Sequence, residues 1–311
     1  MQIAIIVHGG AGNLPLERIE GAQAGCKEAA LVGWRILQAG GSALDAVEAA
    51  VRALEDNPTF NAGTGAVLTS EGDIELDAGI MEGHTLQVGA VAGVELIKNP
   101  VSLARKVLES PHVLLGGRGA QEFAQEHGIP LCAFEDLVTE RQYQSWLENK
   151  AKAASKSEEP RHHRREVGSI KAREEKHGTV GAVAVDTSGL LAAATSTGGI
   201  HNKYPGRVGD SPLVGCGFYA DENAAISCTG HGEDFIRLLI AKRAADFVGR
   251  GNTAREAAEA AIAVLSAKAP ETGSGGLIVV DRNGNVGFAR NSQHMAHAYM
   301  IDGMVEPTAG I

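Results

Sequence analysis

The chain has 311 residues, of which 44% are hydrophobic, only 4% aromatic and 40 glycine, and its formal charge is −10 at pH 7. That length holds one large domain or two ordinary ones, and the composition suits close-packed layers of Ala, Val and Gly rather than a chain disordered throughout. The acidic balance excludes broad binding to nucleic acid or to an anionic membrane, while leaving room for a local basic pocket.

Four cysteines, Cys26, Cys132, Cys216 and Cys228, are scattered without a CxxC pair, which reads as buried thiols in a reducing compartment. The first residues carry no basic leader, and their apolar run is too short for a signal or a membrane span, so a cytoplasmic protein is expected. Met1 to Val7 predicts a first buried strand, and His8-Gly9-Gly10-Ala11-Gly12-Asn13 a flexible turn after it. Neither a phosphate loop nor an esterase oxyanion loop is supported, because GxGxxG, GxxxxGK[ST] and GxSxG are all missing.

Apolar spacing predicts a helix over Glu17–Gln38 ended by Gly40-Gly41, then a second helix capped by Ser42 and stopped at Asn57-Pro58. Phe60 to Thr69 reads as loop into strand, paired in a hairpin with Ile74–Met81 around Ser70-Glu71-Gly72-Asp73, and Val88–Val94 reads as a third strand. A helix from Asn99-Pro100 to Leu108, a short strand at Val113–Leu115 and helices over Gly119–His127 and Tyr143–Ala154 follow. From Lys156 to Lys176 charges of both signs mix with almost nothing apolar, so disorder is expected. His162-His163 beside Arg164-Arg165 lack a second ligand pair with metal spacing and read as solvated linker.

The charged segment stops at Gly178. Thr179 then opens a strand of Val, Ala and Gly that turns at Asp186-Thr187-Ser188-Gly189, and Leu190–Ala194 returns toward Thr195-Ser196-Thr197-Gly198-Gly199. By pattern alone Thr179 is a strand start. Gly- and Pro-rich residues 201–212 carry Arg207 and Asp210, which by spacing alone read as a surface pair. Small strands at Gly217–Ala220 and Ala224–Ser227 precede a break at Cys228-Thr229-Gly230-His231 and one helix over Glu233–Phe247. Thr253 and Glu256 form a capping box for a helix reaching Lys268, and Asn283-Gly284 joins strands Leu277–Val280 and Val286–Ala289. Strands cluster at the front, middle and end with helices in blocks, which disfavours a doubly wound sheet and fits two sheets packed between helical layers.

The run His177-Gly178-Thr179-Val180-Gly181-Ala182-Val183-Ala184-Val185-Asp186 resembles the processing site of the plant-type asparaginase / isoaspartyl peptidase family, and the likeness extends from His8-Gly9-Gly10-Ala11-Gly12 nearly to the C-terminus, the charged linker aside. The resemblance implies an αββα sandwich of the N-terminal-nucleophile hydrolases. It also implies a chain that cuts itself between Gly178 and Thr179. Residues 1–178, with a linker at about 155–176, would form one subunit and 179–311 the other, both within one structural domain.

A threonine hydroxyl needs a base, and an α-amine on the same residue, with an ordinary pKa of about 7.7–8, supplies one. The resemblance further implies that Thr197 orients Thr179 and that the Thr229 hydroxyl and Gly230 N–H receive the oxyanion. Arg207 and Asp210 would hold a substrate's α-carboxylate and α-ammonium, with Asn61 a further contributor. Backbone carbonyls of Leu54, Glu55, Asn57, Phe60, Ala62 and Thr64 would wrap a structural sodium ion, and no cofactor is needed for catalysis. Expected substrates are L-asparagine and β-aspartyl dipeptides, with no nucleic-acid or membrane partner, and the assembly is a dimer of cleaved protomers. Aspartylglucosaminidase-like amidase activity, disfavoured by the unpaired cysteines, and an uncleaved non-catalytic homologue are the alternatives.

Overall fold

A computed structural model describes residues 2–156 and 178–311, and the predicted disordered linker, with His162 and His163, lies outside the described residues. The chain runs β1 (Ala4–Gly12), α1 (Leu16–Gln38), α2 (Ala43–Glu55), β2 (Leu76–Glu82), β3 (Val88–Val94), α3 (Pro100–Leu108), β4 (Leu114–Gly116), α4 (Gly117–Glu126) and α5 (Glu140–Lys156). After Gly178 come β5 (Val180–Val185), β6 (Leu191–Thr197), β7 (Phe218–Ala220), β8 (Ala224–Gly230), α6 (Gly232–Leu238), α7 (Ile240–Gly249), α8 (Ala254–Lys268), β9 (Gly275–Asp281), β10 (Val286–Arg290), β11 (His294–Ile301) and β12 (Thr308–Gly310).

The strands form an eight-stranded sheet, ordered β12-β11-β1-β5-β6-β2-β3-β4, and a four-stranded sheet, ordered β10-β9-β8-β7. Strand residues alternate between faces, so each strand of the large sheet serves two cores. In β1, Ile5 and Val7 pack toward α1 and α2, whereas Ala4 and Ile6 face the small sheet. In β5, Val180, Ala182 and Ala184 take the helical side while Val183 and Val185 face inward. The small sheet repeats the arrangement: Ile278 and Val280 meet the large sheet, and Leu277 and Val279 pack on α7 and α8. The layers are therefore helices, sheet, sheet, helices, the αββα sandwich expected of an N-terminal-nucleophile hydrolase. Within the large sheet, strands from before and after Gly178 interleave: β5 and β6 lie between β1 and β2.

Local signals placed most helices. Ser42 caps α2 by accepting the Asp45 N–H at 3.1 Å, and Thr253 and Glu256 close the capping box on α8. Five expectations change.

β1 continues through the glycines to Gly12, with an irregularity between His8 and Ala11, because β11 pairs with that stretch. Phe60–Thr69 is no strand; the N–H groups of Asn61, Thr64, Gly65 and Thr69 bond the carbonyls of Gly178, Glu55, Leu137 and Asp73, and β2 pairs with β6 and β3 instead. β8 runs on through Cys228-Thr229-Gly230, where a break was expected, because β9 pairs with it as far as Gly275.

The single helix expected over Glu233–Phe247 is broken at Leu239, whose φ of 52° is left-handed. The freed N–H groups of Ala241 and Lys242 bond the carbonyls of Cys216 and Gly215, which ties α7 to the loop before β7. Finally, β11 and β12 were not anticipated. They complete one edge of the large sheet, and His297 is buried there with Nδ1 2.8 Å from the Met295 carbonyl. Among the described residues no helix is long and apolar enough to cross a membrane.

Phe218 is fully buried between the sheets. Phe218→Ala is expected to cost about 3–5 kcal/mol in urea unfolding; a loss below about 1 kcal/mol would show that the ring does not hold the two sheets together.

Candidate active site

β5 begins one residue after Thr179, and its two neighbours fix where that residue lies. β5 pairs antiparallel with β1 on one side and β6 on the other, which brings Thr179 beside the last residue of β6. The Thr179 hydroxyl donates to Thr197 Oγ1 at 3.2 Å, and the Gly199 N–H donates to the same oxygen at 3.0 Å. Thr197 is thereby held as the acceptor that orients Thr179. Both side chains are buried.

On the other side of the peptide bond, the Gly178 carbonyl accepts the Asn61 N–H at 3.3 Å. A Cβ at position 178 would stand 2.4 Å from Asn61 Cβ, so only glycine admits this approach. The Asn61 side chain is already committed: its Nδ2 donates to the Gly199 carbonyl at 2.7 Å and its Oδ1 accepts the Val67 N–H at 2.8 Å. Its main chain, more than the amide, faces the Gly178–Thr179 bond.

Thr179, Thr197, Arg207, Asp210 and Gly230 line one small cavity. Thr229 stands one residue before Gly230 on β8, fully buried, and its Oγ1 accepts the Ala11 N–H at 3.1 Å. With an acceptor lone pair so used, the hydroxyl proton of Thr229 is left to donate. Asp210 is buried and its Oδ2 has no hydrogen-bond partner among the described residues. Burial pushes its carboxyl up to about 7, against the opposing pull of Arg207 and with Glu233 and Asp77 adding to the rise. A buried carboxylate oxygen without a donor is costly, and it is matched chemically by an incoming cation.

Most of the Arg207 guanidinium is already engaged. Its Nε and Nη2 donate to the two Glu233 oxygens at 3.0 and 2.8 Å. Nη1 is the remaining end, and the glycines at 199 and 209 leave it room, since a Cβ on Gly209 would lie 2.8 Å from it. Glu233 also lies 3.4 Å from His231 Nε2, and His231 Nδ1 is 2.8 Å from Asp234 Oδ2. Burial raises the Glu233 carboxyl, but hydrogen bonding and charge from Arg207 outweigh it and leave the group below its ordinary value.

The loop that carries Arg207 and Asp210 is anchored by buried charge. Lys203 Nζ donates to the Glu75 carbonyl at 2.8 Å and lies 3.7 Å from its carboxylate, which accepts the Gly206 N–H at 2.9 Å. Asp77 accepts the N–H groups of Gly93 at 2.8 Å and Gly209 at 3.4 Å. Burial lowers the Lys203 amine while Asp77 and Glu75 pull it back up, the balance of a paired interior cation.

None of Glu75, Asp77, Lys203 or Glu233 was singled out from sequence. Each lies within a segment read as strand, loop or helix start, with no local motif to mark it. His8 was legible only as part of a glycine-rich turn. Its Nε2 is 2.9 Å from Ser227 Oγ, and burial drives the imidazole down to about 3, against a hydrogen bond to the Thr179 main chain.

The expected cation loop can be tested on its carbonyls. Asn57 N–H bonds the Leu54 carbonyl, Phe60 N–H that of Asn57 and Thr64 N–H that of Glu55, at 3.2, 3.1 and 2.8 Å, so the segment closes on itself. At Gly65, φ 94°, a Cβ would stand 2.7 and 2.8 Å from the Pro58 and Phe60 carbonyl oxygens, a convergence of hard donors. The Phe60 and Ala62 carbonyls accept no hydrogen bond from the described residues. The Glu55 carboxyl, which burial raises to about 8, instead accepts the Val101 N–H at 3.0 Å. No cluster of His, Cys, Asp or Glu able to hold a metal exists among the described residues.

A family model described as asparaginase matches residues 1–309. Over 99% of its length the chain is 52% identical to a plant-type L-asparaginase from Thermococcus kodakarensis, of which it covers 99%. It is 45% identical over its whole length to an isoaspartyl peptidase/L-asparaginase from Mus musculus and 44% identical over 94% of its length to one from Danio rerio, covering 91% of each.

Because the folded pKa of Asp210 lies above its unfolded value, its carboxyl favours the folded chain only while protonated, and that contribution is lost as pH rises toward and through about 7. Asp210→Asn is therefore expected to raise the unfolding free energy of the unliganded protein at pH 8, by an amount on the order of 3 kcal/mol or less in urea unfolding, and to have little effect near pH 4. Equal effects at both pH values would show that the carboxyl is not held in a site that resists charge.

Proposed function

The chain belongs to the asparaginase family, a family of amidohydrolases, and from that premise we propose that Thr179 is a nucleophile unmasked when the chain cuts its own Gly178–Thr179 bond. In the cut, Thr179 Oγ adds to the Gly178 carbonyl, the C–N bond breaks and the resulting ester is hydrolysed by water. The products are a carboxylate on Gly178 and a free α-amine on Thr179. The Asn61 N–H, 3.3 Å from the Gly178 oxygen, polarises the carbonyl under attack.

The substrates are β-aspartyl amides, L-asparagine and isoaspartyl dipeptides, as the names of the relatives suggest. The α-amine of Thr179 takes the proton of its own hydroxyl, and Oγ attacks the side-chain carbonyl. The Thr229 hydroxyl and the Gly230 N–H receive the oxyanion; losing one such donor costs about 10²–10³ in kcat. The leaving nitrogen takes the proton as the C–N bond breaks, and water then releases aspartate. Thr197, pinned by the Gly199 N–H, keeps Thr179 aimed.

One observation carries this reading: a buried Asp210 oxygen, unpartnered among the described residues, on the same cavity wall as Thr179 and Arg207. Asp210 takes the α-ammonium, and the α-carboxylate meets Arg207 at Nη1, the end that Glu233 leaves open.

The carbonyls of Leu54, Glu55, Asn57, Phe60, Ala62 and Thr64 would hold a sodium ion. When bound it supplies no chemistry; the loop it stiffens carries Asn61 toward Gly178.

Denaturing electrophoresis and N-terminal sequencing test the cut. Wild type should yield a fragment beginning Thr-Val-Gly-Ala, and Thr179→Ala should remain one chain without amidase activity; a cleaved Thr179→Ala would assign the cut to another agent. The ion is tested by thermal unfolding at matched ionic strength. Sodium chloride should raise the melting temperature by several degrees over choline chloride, and identical curves in the two salts would remove sodium from the fold.

A further inference from the structure

A second cavity opens on the far side of the Gly178–Thr179 bond. Gly178 and Asn61 lie on its wall, whereas Thr179 lines the first cavity, so the scissile peptide and Asn61 form the partition between the two. The second cavity is cationic. Arg18, half-buried near the start of α1, and Arg141, at the exposed rim on α5, both line it. Each spends one N–H on the loop below: Arg18 Nη2 donates to the Thr59 carbonyl at 2.5 Å and Arg141 Nη2 to that of Pro58 at 3.0 Å.

Among the described residues neither guanidinium has a carboxylate within ion-pairing distance, and Glu17, next to Arg18 in the chain, is the acidic group that acts on it through space. Burial lowers both groups, Arg141 to about 10 with help from the charge of Arg18, so both stay cationic at neutral pH. Gln142 also lines the cavity. It is buried, its Nε2 is fixed on the Gly65 carbonyl at 2.7 Å, and its Oε1 has no partner among the described residues. Two donor forks without an acid and a buried acceptor without a donor complement a molecule carrying an anion and an N–H.

We propose that this cavity binds the leaving residue of a β-aspartyl dipeptide, with Arg18 and Arg141 taking its terminal carboxylate. The inference rests on the reading of Thr179, Arg207 and Asp210 given above. With the aspartyl half held by Arg207 and Asp210 and its carbonyl at Thr179 Oγ, the leaving nitrogen points away from the first cavity. Cutting the Gly178–Thr179 bond removes the covalent part of the partition, so the second cavity becomes continuous with the nucleophile. Ammonia, the leaving group of asparagine, uses none of this. An amino acid leaving group uses both arginines, and its amine nitrogen, which gains a proton as the C–N bond breaks, lies on the side of Gln142.

The test uses the self-cleaved enzyme and three substrates: a β-aspartyl dipeptide with a free carboxylate, the same dipeptide as its C-terminal amide, and L-asparagine. Wild type should favour the acid over the amide by about tenfold in kcat/KM, mostly through KM. Arg18→Gln, Arg141→Gln and the double variant should progressively erase that preference, while Arg18→Lys and Arg141→Lys retain part of it. A wild-type enzyme that hydrolyses acid and amide equally well overturns the proposal without any variant, and so does a double variant that keeps the full preference. Wild type inert toward all three compounds would instead overturn the underlying reading of the active site, and the proposal with it.

Discussion

The hydrogen bonds that hold β5 between β1 and β6 are the constraint on which the rest of the molecule depends. Under the proposed cleavage, the residue that becomes a chain end must be fixed without help from the bond that is lost. Thr179 meets that condition because the strand it opens is paired with β6 from Val180 to Val185 and with β1 from Gly181 to Val185, and is buried on both faces. β1 belongs to the part of the chain before Gly178 and β6 to the part after it, so the sheet itself joins the two halves. Gly178 is held differently, by one main-chain N–H of Asn61, and its lack of a side chain allows that contact.

Around this strand the molecule places its interior charge where it does two things at once. Lys203, Glu75 and Asp77 pin the loop of residues 199–212 to β2 and its approach through backbone N–H groups and a carbonyl. These groups are paired, and each anchors backbone as well as charge. Asp210 is the exception. Its Oδ2, without a partner among the described residues, works against folding stability, and Asp210 lines the same cavity as Thr179 and Arg207. Arg207 is tethered by Glu233, which fixes the guanidinium plane and restricts which edge an incoming carboxylate can reach. His231, between Glu233 and Asp234, extends the tether into the start of α6.

The glycine content, unusual for a sequence with so few aromatic residues, reflects the same economy. Sheets and helices approach closely, and bulky residues such as Phe218 fill the few wide gaps. At Gly65 the missing side chain lets carbonyls converge. Read along the chain, such residues are punctuation marks. In space many are contact points.

By itself the sequence determined what local physics and a motif can determine. Helix caps at Ser42 and Thr253 work through atoms three residues away, so they are readable in a short window. The β-branched run after Thr179 marks a core strand, and the resemblance carried by the Gly178–Thr179 segment pointed to the layered fold, the family and the threonine proposed as nucleophile. Tertiary structure alone decided the rest. The glycine-rich residues 9–12 remain in β1 because β11, about 280 residues later, pairs with Ala11 and Gly12. The strand expected before Ser70 fails because its backbone donors find carbonyls in a helix end, a distant loop and Gly178. Glu233 on Arg207, Asn61 N–H on Gly178, and the arginines beyond the Gly178–Thr179 bond come from segments far apart in sequence. Their meaning lies in distances that no periodicity encodes, because hydrogen bonds and charge pairs act over a few ångströms of space whatever the separation along the chain.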